Sequence, residues 1–168
     1  FGNLVTMKWW DELWLNEGFT NFMEYFIVDK LHPEWDFFQD YLVSEKSYAI
    51  RLDSLPSSKP IIKNISSVHQ AVDAFDAIAY EKSGSIVRMI YSMIGDEPFR
   101  KGLKNYFDKF KFSSATSLDL VNSWQAFTEI DLTEFIKPWL YEPGVPLISV
   151  SLGSRPDIIR LHQARFLS

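Results

Sequence analysis

The stretch Trp9-Trp10-Asp11-Glu12-Leu13-Trp14-Leu15-Asn16-Glu17-Gly18-Phe19 sets three tryptophans and three carboxylates within eleven residues. Its continuation to Leu31 contains no proline, and Leu15, Phe19, Phe22, Phe26 and Ile27 recur at the three- and four-residue steps of a helix with one apolar face. One long amphipathic helix is predicted from Asp11 to Leu31, ending near His32-Pro33 and carrying Glu17. Tryptophans at this density predict an apolar wall. A carboxylate against such a wall is poorly solvated and needs a metal, a cation or a proton.

Outward from this stretch, helical patterning dominates. A second helix is predicted from Glu34 to Leu52, closed by the Pro/Ser-rich loop Asp53-Ser54-Leu55-Pro56-Ser57-Ser58-Lys59-Pro60, and a short one near Val68 to Phe75. Ile78, Ile86, Val87, Met89, Ile90 and Met93 mark a mostly buried helix from Asp76 to Ile94, stopped by Gly95. Phe99, Leu103, Tyr106, Phe107 and Phe110 share one face of a helix with Pro98 in its first turn, and Lys101, Lys104, Lys109 and Lys111 form its wet side. Thr116 with Asp119, and Asp131 with Glu134, read as N-terminal capping signals of two further helices, the last bent or shortened by Pro138.

At Pro143-Gly144-Val145-Pro146 the pattern changes, and Leu147 to Ser151 and Ile158 to Leu161 alternate as strands do. The chain therefore reads as mainly α, a helical domain over residues 1–145 followed by the first strands of a small β module over 146–168.

The hydrophobic fraction is 46% with 23% charged residues, and no apolar run approaches the roughly 18 residues that span a bilayer. A net charge of -5 without a Lys/Arg block argues against nucleic acid and leaves cationic or neutral ligands open. The absence of cysteine excludes disulfides and thiolate zinc sites within these residues. Asn64-Ile65-Ser66 is a glycosylation sequon that tilts localisation slightly toward the secretory route or a membrane-anchored ectoenzyme, though three residues also arise by chance. Because Phe1 is no natural start, a longer N-terminus is expected, and the lack of a visible targeting signal carries no weight.

Two residues stand out for chemistry. Glu17, beside Trp14 and a glycine that leaves space near the backbone, suits a metal or substrate ligand; from the residues alone a capping or salt-bridged helix acid is the commoner reading. Catalytic zinc takes three protein ligands, and His32, His69 and His162 lack the spacing that puts two imidazoles on one helical face. Tyr80, among Ala79, Ser83 and Gly84 near the start of a buried helix, can donate to an oxyanion or be a core tyrosine with a satisfied hydroxyl. Asp73 and Asp76 read as a solvated helix edge. Asp11 and Glu12 point about 100° apart on a helix, which excludes an acid/base dyad and makes them first-turn acids favoured by the helix dipole.

Phe1 to Phe19 closely resembles the segment that follows the H-E-x-x-H zinc helix in gluzincin aminopeptidases of the membrane alanyl and puromycin-sensitive type. The resemblance continues through Asp53 to Ile61, Phe75 to Arg88 around Tyr80, Ile94-Gly95 with Phe99 and Gly102-Leu103, and Trp139 to Pro146, so it covers nearly the whole chain. It implies that Glu17 is the third zinc ligand and lies close to the substrate α-amine, and that Tyr80 stabilises the tetrahedral oxyanion. It further implies one zinc ion, peptide substrates with a free N-terminus, and the helical C-terminal half of a thermolysin-like catalytic domain leading into a β-sandwich.

The chain departs from the family at Ser83 and Gly84, where glycine and alanine are usual, at Glu12, usually aspartate, and at Lys59, often histidine. Both zinc histidines, the general-base glutamate and the G-x-M-E-N loop are expected upstream of Phe1, so these residues alone are expected to be inert. Two other readings stand beside this one: a catalytically dead relative acting as a binding or scaffold protein, and a glycan-binding or glycoside-cleaving domain, which needs a second carboxylate about 5 to 9 Å from Glu17.

Overall fold

The computed structural model describes residues 1–155 and 157–167. The apolar face read along the opening stretch is realised in α1 (Trp14–Leu31), where Trp14, Leu15, Phe19 and Phe22 are buried. The helix does not begin at Asp11. Trp10–Glu12 form a 3-10 turn first, and the two acids leave the helix axis for distant backbone: Asp11 Oδ1 accepts from the Ile65 amide at 2.9 Å, and Glu12 Oε2 from the Ser117 amide at 3.1 Å.

The predicted helix from Glu34 to Leu52 is divided. A 3-10 turn at Pro33–Trp35 precedes α2 (Phe37–Val43) and α3 (Glu45–Asp53), with Asp36 in the left-handed region at φ 49° and a break at Ser44. In this arrangement Tyr41 is buried, and its hydroxyl donates to the Glu81 carbonyl at 2.7 Å. Next comes α4 (Val68–Val72), capped by Ser67, whose hydroxyl accepts from the Gln70 amide. The segment read as one helix from Asp76 opens instead with a π-helical turn, Ile78–Lys82, before α5 (Ser83–Ile94).

The remaining helices follow the sequence signals closely. α6 (Asp96–Phe110) starts after Gly95, which sits at φ 82°. α7 (Ser117–Gln125) has a complete capping box between Thr116 and Asp119, and in α8 (Leu132–Tyr141) Asp131 accepts from the Glu134 amide at 3.0 Å. Pro138 does not end α8, which continues through it to Tyr141.

Three-residue strands β1 (Val5–Met7) and β2 (Ser113–Ala115) pair in parallel, Val5 opposite Ser113, a pairing too short to leave an alternating pattern in the sequence. After the helices, β3 (Pro146–Leu152) and β4 (Ile159–Arg165) form an antiparallel hairpin exposed along both strands.

The core is a stack of aromatic rings between α1, α6 and α7. Phe19 stacks on Phe1 at 3.7 Å and on Trp124 at 6.0 Å, Phe99 stacks on Trp124 at 5.1 Å, and the Trp124 indole donates to the Phe99 carbonyl at 3.1 Å. On its other side α1 meets the π turn and α5 at Gly18, where a β-carbon would overlap the Ser83 hydroxyl and lie 3.1 Å from the Ala79 carbonyl. Gly84 faces Asn21 across the same crossing.

Glu81, in the π turn, is pushed up to about 7, first by burial and then by the nearby Glu45 and Asp76 carboxylates.

Two outcomes follow from this packing. Gly18→Ala should lower stability by about 1–3 kcal/mol in denaturant titration, and Ser83→Gly in the same chain should restore much of it, since the clash is with that side chain. For Glu81 the folded state binds more protons than the unfolded state between pH 4.5 and about 7, so stability should fall as pH rises through that window. Glu81→Gln should flatten this part of the pH profile, and an unchanged slope would show that Glu81 is not its source.

Candidate active site

The π turn is built by a carboxylate at its start. Asp76 Oδ1 accepts from the Ile78 and Ala79 amides, both at 3.0 Å, while Oδ2 pairs with Lys63 Nζ at 2.9 Å. Asp76 is therefore a cap and not a solvated edge; only Asp73, beside His69 at 3.4 Å, lies in the open. The Lys82 amide bonds to the Ala77 carbonyl at 3.1 Å, five residues back, and the Glu81 amide shares that carbonyl at 3.0 Å. Ser83 Oγ donates to the carbonyls of Ala79 and Tyr80. One extra residue is thereby accommodated around Tyr80.

The close crossing at Gly18 sets Glu17 against this turn. The space over the glycine, expected to admit a ligand, is filled by Ser83. What the glycine provides is proximity: the Tyr80 phenol is pushed up to about 12, first by burial, then by the Glu17 carboxylate near it, then by the Glu81 charge. Tyr80 is thus a neutral donor facing a carboxylate. The two residues singled out from the sequence meet.

The tryptophan wall forms only in part. Trp9 and Trp10 are 59% and 38% exposed, whereas Trp14 is buried and donates to Ser117 Oγ at 2.8 Å. Asp11 and Glu12 are supports, as expected, but through distant segments instead of the dipole of their own helix. Glu12 takes both the amide and the hydroxyl of Ser117 at the start of α7, and burial pushes its carboxyl up despite these bonds.

Glu17 is half-buried, and among the described residues it joins no ion pair: Lys63 and Lys82 are committed to Asp76 and Asp53. A positioned carboxylate without a cation has the donor chemistry of a divalent-metal ligand. It fits as one member of a set. No group of three His, Cys, Asp or Glu that could hold a metal exists among the described residues. His32 stacks on Trp35, His69 sits beside Asp73, and His162 lies on β4 opposite Ser149.

Sequence reasoning missed Asp53, Lys82 and the capping role of Asp76. Asp53 and Lys82 form a buried ion pair of 2.6 Å at the edge of a cleft of about 690 Å³ lined also by Met89, Phe135 and Trp139. Neither Glu17 nor Tyr80 lines that cleft. The signal available in the sequence was a lysine beside Ser83 and Gly84 at the start of a mostly apolar helical stretch, small neighbours that permit close packing around its charge.

The description "Peptidase family M1 domain" matches residues 1–139. The chain is 43% identical over 167 residues to "Probable aminopeptidase 2" of Sulfurisphaera tokodaii, covering 99% of the chain and 21% of that protein. It is 43% identical over 167 residues to "Aminopeptidase N" of Lactobacillus helveticus, covering 99% of the chain and 20% of that protein. With "Alanine/arginine aminopeptidase" of Saccharomyces cerevisiae the identity is 39% over 171 residues, covering 100% of the chain and 19% of that protein. The chain thus spans about a fifth of the length of these relatives, whose names do not single out the membrane alanyl type. A family match across most of the chain, joined to the resemblance carried by the Trp9 to Phe19 stretch and the Tyr80 turn, establishes that this chain belongs to peptidase family M1.

Proposed function

We propose that these residues form part of the catalytic site of a zinc-dependent aminopeptidase that removes N-terminal residues from peptides. The observation that carries the proposal is the pairing of Glu17 with Tyr80 across two separate helical elements, without a cation on Glu17. In this reading Glu17 is one zinc ligand and lies close to the substrate α-amine, an assignment taken from the family. The two histidine ligands and the general-base glutamate come from outside these 168 residues. Zinc, when bound, supplies the Lewis acid that polarises the scissile carbonyl.

Tyr80 donates a hydrogen bond to the oxygen that becomes negative as the carbonyl carbon turns tetrahedral, and withdraws nothing from the ground state if that oxygen is out of reach before attack. Its fixed place on the π turn makes the donor preorganised. Residues 1–145 would form the helical part of the catalytic domain, with 146–168 opening a β-sandwich; the change from helices to the exposed β3–β4 hairpin supports that division.

In the full-length protein, Tyr80→Phe should lower kcat about 10²- to 10³-fold on aminoacyl fluorogenic substrates with little change in KM. An unchanged kcat would remove Tyr80 from the mechanism. Glu17→Gln should leave the protein folded by circular dichroism but deplete its zinc on dialysis, and full zinc retention would exclude Glu17 as a ligand.

For residues 1–168 purified alone, metal analysis should find no stoichiometric zinc and no amino acid should be released. Tight zinc in that preparation would overturn the shared ligand set. A full-length protein that folds, holds no zinc and cleaves nothing would instead be a scaffold relative.

A further inference from the structure

The buried ion pair between Asp53 and Lys82 is unusual in what surrounds it. Lys82 Nζ reaches Asp53 Oδ2 at 2.6 Å and also donates to the Gly144 carbonyl at 3.1 Å. Asp53 Oδ1 accepts from the Gly144 amide at 2.7 Å and from Ser58 Oγ at 2.6 Å. Both side chains are at most 5% exposed. One glycine backbone is thus gripped at its N–H by the carboxylate and at its C=O by the ammonium.

Gly144 suits this grip because it lies at φ 94°, where a β-carbon would also run into the Arg165 side chain, 2.5 Å from Nε. Three segments meet here: the C-terminal end of α3, the π turn and the boundary that leads into β3. Asp53 is the last residue of α3, where the helix dipole disfavours a carboxylate, so the pair with Lys82 is what makes its charge tolerable.

A buried pair of this kind adds little net stability compared with apolar residues of similar volume, but losing one partner is costly. Its distinctive product is fixed geometry. Lys82 is the residue whose amide closes the π turn on Ala77, and it stands two positions after Tyr80. Asp76 pins the turn at its start through two amides. At its far end the turn is also held by the Tyr41 hydroxyl on the Glu81 carbonyl and by Ser83 Oγ on the Ala79 and Tyr80 carbonyls, but the Lys82 side chain is the tether that ties it to the Gly144 backbone; loss of that tether favours relaxation of the extra residue of the π turn to α-helical pairing, which rotates the residues within it.

We propose that Lys82 and Asp53 are positioning residues for Tyr80, holding the π turn in register by anchoring it to the Gly144 backbone. The proposal rests on the peptidase reading of Tyr80 for its catalytic consequence, whereas the mechanical coupling stands without it.

The test uses the full-length zinc-loaded protein and the variants Lys82→Met, Lys82→Arg, Asp53→Asn/Lys82→Met, Tyr80→Phe and Tyr80→Phe/Lys82→Met. The neutral double variant removes both charges at once and so keeps the fold if Lys82→Met alone does not. It should lower kcat about 10²-fold with KM changed less than about twofold and zinc content intact. Adding Lys82→Met to Tyr80→Phe should cost no more than Tyr80→Phe alone, because a displaced phenol and an absent one are equivalent, and Lys82→Arg should recover part of the rate.

By hydrogen exchange, amides of residues 78–83 should open at least about tenfold faster in the neutral double variant, with α6 and α7 unaffected. Wild-type kcat in that double variant, or additive effects of Lys82→Met and Tyr80→Phe, would overturn the positioning role. Unchanged exchange at 78–83 would overturn the coupling itself. A wild-type protein without aminopeptidase activity would sink the peptidase reading, and the exchange measurement would still decide whether the anchor exists.

Discussion

Two helical segments approach so closely at Gly18 that only a hydrogen fits between the α1 backbone and the Ser83 side chain. This contact sets the depth at which α1 meets the π turn, and so determines that residue 17 faces residue 80. The resemblance drawn from the sequence implies glycine and alanine at 83 and 84. Here the serine hydroxyl fills the crossing and satisfies the Ala79 and Tyr80 carbonyls, while Gly84 gives way to Asn21.

The carboxylates around the site show one problem solved in several ways. Asp11 and Glu12 lose water and recover hydrogen bonds from the Ile65 and Ser117 amides, tying the opening stretch to the loop before α4 and to the start of α7. Asp76 takes two amides and a lysine, and Asp53 takes a lysine, an amide and a hydroxyl. Glu81 has a buried oxygen without a hydrogen-bond partner and meets the cost by protonating near pH 7. Each acid other than Glu17 therefore has a local answer to burial. These answers are also the cross-links that hold the irregular segments, because a carboxylate can join backbone groups that no ladder pairs.

The helical architecture, the two caps at Thr116 and Asp131 and the β-hairpin after residue 145 were legible in the sequence, and Glu17 and Tyr80, singled out there, lie near each other in the fold. Periodicity, capping residues and turn residues are local signals, and α1, α6, α7 and α8 obey them. The two site residues were legible for different reasons: their chemistry drew attention, but only the resemblance chose between their alternatives. What stayed hidden depends on contacts between distant segments. The break at Ser44 accompanies burial of Tyr41 beneath the π turn, the π turn needs Asp76 and Lys82, and Asp53 finds its partners at residues 58, 82 and 144. Trp9 and Trp10 illustrate the opposite error. Their composition suggested a wall, yet Trp9 needs little burial once its indole donates to the Ile65 carbonyl at 3.1 Å.

Glu17 remains the acid whose surroundings are incomplete. An ionised carboxylate offers about four acceptor sites, and the Tyr80 phenol lies beside this one. Lys63 and Lys82 are held by other acids at 2.9 and 2.6 Å. Moving Lys82 to Glu17 would strand the buried Asp53, at a cost of roughly 3–5 kcal/mol for an uncompensated buried charge. The fold thus withholds cations from Glu17 while fixing its backbone at the tightest crossing in the site. Under the proposed zinc role, a half-buried carboxylate without an ion-pair partner is available to a cation from outside these residues. These features are what the proposed role of Glu17, as one of three zinc ligands, requires of this residue.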